Sequence, residues 1–154
     1  ETSCMAKARV VVEDEREQGK RALLNLGHTF AHALEAEAGY NGTLLHGEAV
    51  ATGMLMAFQL SEALGLSPSE DTQKLSQHLT EMGLPTKSGL LCSAETLYQH
   101  MTHDKKVEDG KIKFILAKAI GKSFQSKGVD KTDVMPILEG ILHQKEKKKE
   151  EKSA

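Results

Sequence analysis

Four polar side chains stand at intervals of 4, 3 and 4 in the stretch RALLNLGHTFAHALE: Arg21, Asn25, His28 and His32. At helical spacing these intervals put all four on one face. Leu23, Leu24, Leu26, Phe30 and Leu34 fill the other faces, and Gly27 permits close approach. A face turned to water is the plain alternative, but such faces usually recruit Glu and Lys. Arg, Asn and two His supply directed donors and nitrogens able to bind a metal, so the stripe reads as a lining. His-x-x-x-His offers two imidazoles on one side of a helix, as zinc requires. The position after the first histidine holds Thr29 rather than the glutamate of zinc proteases, which excludes that chemistry. A third imidazole, His46, follows in His-Gly-Glu after a glycine-bearing break. Spacing admits two sites: all three histidines as ligands, or two of them with a ligand from elsewhere.

The remaining polar groups have plainer explanations. Glu48 falls in the first turn of the next helix, where the dipole favours a carboxylate. His78, His100, His103 and His143 fall on polar faces or near helix ends, and the six Met are dispersed at core-like spacing. Asp104-Lys105-Lys106 reads as a surface charge run that gains meaning only if the ligand is an anion.

The elements that must position these residues follow from periodicity and punctuation. Residues 5–12 suit either helix or strand, and EDEREQGK at 13–20 is a charged connector. Leu23 to Ala38 is a strong helix, ended by Gly39 to Gly42. A second runs from Gly47 to Leu64, apolar nearly all round in its first half and therefore buried. Ser69 to Met82 is amphipathic, capped by Ser69-Glu70-Asp71 and stopped by Gly83-Leu84-Pro85. Ser93 to Lys105 is another, with Ser93 as N-cap. Lys111 to Ala119 alternates and pairs with 124–129 as one small hairpin. Asp130 to Lys148 returns to helix, with Pro136 tolerated in its first turn. The end, QKEKKKEEKSA, is a solvated charge run. The predicted fold class is mainly α, multi-helical, with one small β-hairpin.

At 154 residues the chain has the size of one domain, and its net charge of −2 excludes a strong nucleic-acid or membrane field. Cys4 and Cys92 lie far apart and form no metal knuckle or disulfide framework, so a reducing compartment is expected. No apolar run approaches a membrane span. The chain begins on Glu1 rather than Met, as is expected either of a piece of a longer protein or of a sequence that lacks its first residues.

In order along the chain, Lys7, DEREQGKRALLNLGHTFAHALE, HGEAVATGM, DKKVEDGKIKFIL and IGKS resemble the C-terminal half of the 3-dehydroquinate synthase family, from position 7 to about 124. The wider sugar-phosphate cyclases share much of this pattern. The resemblance implies the multi-helical C-terminal domain of that fold over residues 1–154, with an NAD-binding domain preceding it and absent from this chain. It implies a lyase of the shikimate pathway that converts 3-deoxy-D-arabino-heptulosonate 7-phosphate to 3-dehydroquinate and phosphate. A transient oxidation by NAD, phosphate elimination, re-reduction and an internal aldol step make up the reaction. Carried over residue by residue, His28 and His46 match two metal ligands, for zinc or cobalt, and His46 also borders the substrate. His32 matches a substrate-contacting histidine instead. Lys7, Arg21, Asn25 and one of Lys105 or Lys106 match groups that hold carboxylate, hydroxyls or phosphate, and Glu17 matches an acidic residue of that pocket. The third metal ligand and most NAD contacts belong to the preceding domain, so the isolated chain is expected to be inactive. A cytoplasmic homodimer is implied for the full-length protein. Ala31 stands where the family has Gly. Two alternatives remain at this point: a sister cyclase with another substrate, or a non-catalytic helical metal-binding or interaction domain.

Overall fold

The computed structural model describes residues 2–13, 20–39, 43–104 and 107–142. Six helices are described: α1 (Thr2–Glu13), α2 (His28–Ala38), α3 (His46–Ala63), α4 (Ser69–Glu81), α5 (Ala94–Asp104) and α6 (Lys131–Leu142). A 3-10 turn, Lys20–Asn25, precedes α2. Four short strands lie between α5 and α6: β1 (Val107–Glu108), β2 (Lys111–Ile112), β3 (Ile115–Ala119) and β4 (Lys122–Gln125). The mainly helical class with a small β element is the one expected. Residues 5–12, ambiguous in sequence, belong to helix α1, which packs against the 3-10 turn.

Helix α3 is the axle. After its exposed first residues, His46 and Gly47, it has no wet face to offer through its first half, and Ala49, Ala51, Leu55, Met56, Ala57, Phe58 and Leu60 are all buried. Around it α2, α4, α6 and β3 pack, and α5 closes over α2. Phe30 of α2 stacks on Phe114, ring centroids 5.1 Å apart, both essentially inaccessible. Full burial of such side chains contributes about 1.5–3 kcal/mol each. One buried hydroxyl keys the β element to the axle: Ser61 donates to the Ala57 carbonyl at 2.7 Å and accepts the Ala117 N–H at 3.1 Å.

Several boundaries differ from expectation for identifiable reasons. The helix expected over 23–38 is broken: a 3-10 turn ends at Asn25, Gly27 adopts φ +79, and α2 begins at His28. A Cβ on Gly27 would meet the α3 backbone at the Met54 nitrogen and at the Gly53 carbonyl carbon, the latter 2.6 Å away. A Cβ on Gly53 would in turn collide with the Gly27 carbonyl oxygen. The two helices therefore cross backbone on backbone, and only a residue without Cβ can take the left-handed turn at that crossing. The β segment contains two hairpins rather than a single one. Asp109 and Gly110 at φ 53 and 73 form the two-residue turn between β1 and β2, so Lys111-Ile112 pairs back to Val107-Glu108. Only 115–119 continues into the β3–β4 pair, and Ile112 meets Val129 through an isolated bridge.

Helix α4 has Pro68, not Ser69, at its N-cap. Asp71 in its first turn accepts the Ile120 N–H of the β3–β4 turn at 3.0 Å. Ser93 does cap α5, accepting the Thr96 N–H at 3.1 Å. Pro136 is the sixth residue of α6, past its first turn. It lies on the exposed face, where water can replace the missing helical bond. The continuation of that helix to 148 and the charged tail lie outside the described residues.

Candidate metal and substrate site

The break at Gly27 does not scatter the histidines. The His28 ring centroid lies 5.8 Å from that of His32 and 6.1 Å from that of His46, both in edge-on geometry. The first distance follows from the four-residue spacing on α2. The second is a tertiary fact: α3 packs along α2, with Gly53 against Gly27 and His46 against Glu35, and this carries the His46 ring to that of His28. Two imidazoles sharing a tetrahedral zinc at Zn–N of about 2.1 Å would have centroids roughly 5 Å apart. Both pairs lie within about an ångström of that, so distance alone does not choose between them.

The hydrogen bonds add a shared chemical state. His46 Nδ1 lies 2.9 Å from Glu35 Oε1, and His32 Nδ1 lies 3.0 Å from Asp104 Oδ2. His28 Nδ1 makes a longer contact, 3.4 Å, with the Leu26 carbonyl. A carbonyl or ionised carboxylate only accepts, so these contacts are the ones made by rings that carry their proton on Nδ1. Each neutral ring then keeps its lone pair on Nε2, the state in which a histidine ligates a metal or accepts a proton. The donor set therefore suits a divalent ion. Among the described residues, no three His, Cys, Asp or Glu side chains are gathered closely enough to hold one.

Asn25 closes the 3-10 turn and is engaged in polar contact. Arg21 stands in the same turn. Lys7 is exposed on α1, the helix that packs on that turn. Glu17, Lys105 and Lys106 lie outside the described residues, although α5 ends at Asp104, whose carboxylate holds His32. Glu48 accepts the Leu45 N–H at 3.1 Å, which bears out its plain reading as a helix-start carboxylate. His100, on the far side of α2, pairs with Glu37 at 2.9 Å. Ala31 is fully buried at the α2–α3 crossing, and its N–H donates to the Gly27 carbonyl. Sequence reasoning missed Glu35 and the pairing of Asp104. The first had a signal, since 28, 32 and 35 continue the same helical stripe. The second had none, because 72 residues separate Asp104 from His32.

The family described as 3-dehydroquinate synthase C-terminal matches residues 1–107, more than half of the sequence. The chain belongs to that family. The 3-dehydroquinate synthase of Rhodospirillum rubrum is 57% identical over 146 residues, covering 92% of this chain and 38% of its own length. That of Zymomonas mobilis is 48% identical over 149 residues, with 94% and 39% covered. This family member thus spans about two-fifths of the length of the curated relatives it matches. Among solved structures, 2-deoxy-scyllo-inosose synthase with carbaglucose-6-phosphate, NAD+ and Co2+ superposes with TM-score 0.79 at 26% identity, covering 90% of this chain and 40% of that one. A 2-epi-5-epi-valiolone synthase from Streptomyces hygroscopicus with NAD+ and Zn2+ shares the fold at TM-score 0.71 and 21% identity, covering 86% and 36%.

Proposed function

We propose that these 154 residues are the helical metal- and substrate-binding part of a 3-dehydroquinate synthase, which forms 3-dehydroquinate and phosphate from 3-deoxy-D-arabino-heptulosonate 7-phosphate. The observation that carries this reading is the convergence of His28, His32 and His46 with Nδ1 committed in each, within a member of that family. Identity of 47–57% to 3-dehydroquinate synthases supports the substrate class over that of a sister cyclase.

On this reading His28 and His46 hold zinc or cobalt, with a further ligand from a preceding NAD-binding domain outside this chain. When bound, the metal supplies Lewis acidity and NAD a reversible hydride acceptor. The chain's own residues bind, orient and move protons. His32, steadied by Asp104, contacts substrate and can take or return a proton at Nε2. Lys7, Arg21 and Lys105 or Lys106 supply cations for a carboxylate and a phosphate, and Asn25 an amide for hydroxyls. Glu17 adds the acidic wall of the pocket, and His46 borders the substrate as well as the metal. No described helix is long and apolar enough to cross a membrane, and the reading makes the whole protein a cytoplasmic homodimer.

The test is phosphate release from that substrate with NAD and zinc supplied. The chain is assayed alone and mixed with the separately produced N-terminal part of the Rhodospirillum rubrum relative. Silence alone, turnover in the mixture, and its loss in His28→Ala and His46→Ala are expected. Turnover by the chain alone overturns the division of the site. Turnover indifferent to both substitutions overturns the assignment of the histidines.

A further inference from the structure

We propose that Glu35 is a positioning residue that fixes His46, setting both the direction of its ring and the nitrogen that carries its proton. This rests on the reading of His46 as a metal ligand, but the contact is a property of this chain alone.

The two partners are unequal. The His46 side chain is 63% exposed at the first position of α3, where little packing restrains its rotamer, whereas that of Glu35 is 12% exposed and anchored on α2. A 2.9 Å contact from Nδ1 to Oε1 therefore ties a loosely packed ring to a fixed acceptor. In water a neutral imidazole favours the proton on Nε2, the tautomer that cannot ligate through that nitrogen. Glu35 reverses the preference and leaves Nε2 bare, as a carboxylate behind a metal-bound histidine does. The contact also fastens the start of α3 to α2 across eleven positions of sequence. The neighbouring carboxylates are committed elsewhere: Glu48 to the Leu45 N–H, Glu37 to His100, Asp104 to His32.

The experiment uses the 154-residue chain labelled with 15N-histidine, with two-bond nitrogen–proton spectra recorded at about pH 8.5, where an ordinary imidazole is neutral. His46 is assigned by its loss in His46→Ala. In the wild type His46 shows the proton on Nδ1. Glu35→Ala moves it toward Nε2, and Glu35→Gln, which keeps an accepting oxygen in the same shape, largely restores the wild-type spectrum. Asp104→Ala moves His32 and leaves His46 alone, which separates a positioning effect from general loosening. Zinc titration of the same chains supplies the second readout, with about ten- to a hundredfold weaker binding in Glu35→Ala.

A His46 proton on Nε2 in the wild type, or a spectrum unmoved by Glu35→Ala, overturns the proposal. So does zinc affinity unchanged in Glu35→Ala but lost in His46→Ala. If zinc binds the wild type no better than His28→Ala or His46→Ala, two imidazoles do not hold the ion without the preceding domain's ligand, and the metal reading is then judged by the loss of turnover in the mixed-chain assay. The tautomer spectra then still decide whether Glu35 fixes the ring.

Discussion

Glu35 and Glu37 stand two residues apart on α2, on nearly opposite faces, and each holds a histidine at 2.9 Å. Glu35 reaches His46, whose ring sits 6.1 Å from that of His28. Glu37 reaches His100 in the seam between α2 and α5, where both side chains are about a quarter to a third exposed. The bond lengths are the same and the roles differ. What separates them is the neighbourhood: three imidazoles share one face, whereas Glu37 has beside it a half-buried Cys92. A histidine–carboxylate contact alone is a structural clasp; it becomes site chemistry when other ligating nitrogens stand within reach.

The largest effect is expected from removing the crossing of α2 and α3 behind the histidine face. Gly53→Ala would drive a methyl group into the Gly27 carbonyl, backbone against backbone. A destabilisation of about 3 kcal/mol or more in urea unfolding is expected, because neither helix can yield without losing core contacts. Zinc binding should fall with it although no histidine has been touched. A stability loss below about 1 kcal/mol would mean that the crossing is looser than the backbone contact implies.

A smaller effect sharpens the contrast. Glu37→Gln or His100→Ala should cost about 1 kcal/mol in stability, the value of one partly buried polar contact. Neither should alter the His46 tautomer or zinc affinity, the reverse of the pattern expected for Glu35. Equal loss of zinc binding from both glutamate variants would erase the distinction.

The smallest effect concerns Cys92. Burial, and secondarily the negative charge of Glu37, raises its thiol above the ordinary value. A raised pKa means less thiolate at pH 8, so iodoacetamide should modify Cys92 more slowly than the exposed Cys4. Removing the charge in Glu37→Gln should quicken Cys92 only modestly, since burial, the larger cause, remains. Mass spectrometry of the alkylated chain reads both rates. Equal rates in the wild type would contradict the burial of Cys92.

Local patterns and long-range ones were legible to different degrees. The buried character of α3 was plain because its apolar residues leave no polar stripe, and Ser93 announced the start of α5 because a hydroxyl ahead of an amphipathic run can accept an orphan N–H. The Asp109-Gly110 turn was equally local, the strongest short hairpin signal a sequence carries, yet the alternation of KIKFILAKA masks it by running across two hairpins. The interruption at Gly27 was not legible. Leu and Ala propensity favours an unbroken helix there, and only the backbone of α3 pressing against Gly27 forbids it.

The sequence by itself determined the residue types of the histidine face, the i, i+4 relation of His28 to His32, and the membership of a family whose pattern these residues carry. Those are local or ordered-list properties, and spacing along one chain encodes them. Tertiary structure alone decided that His46 approaches His28, that Asp104 meets His32 across 72 positions, and that Glu35 finds His46 as its partner. Each depends on how two helices cross. For α2 and α3 the close approach is made where Gly27 meets Gly53, a contact between residues that have no side chains with which to announce it.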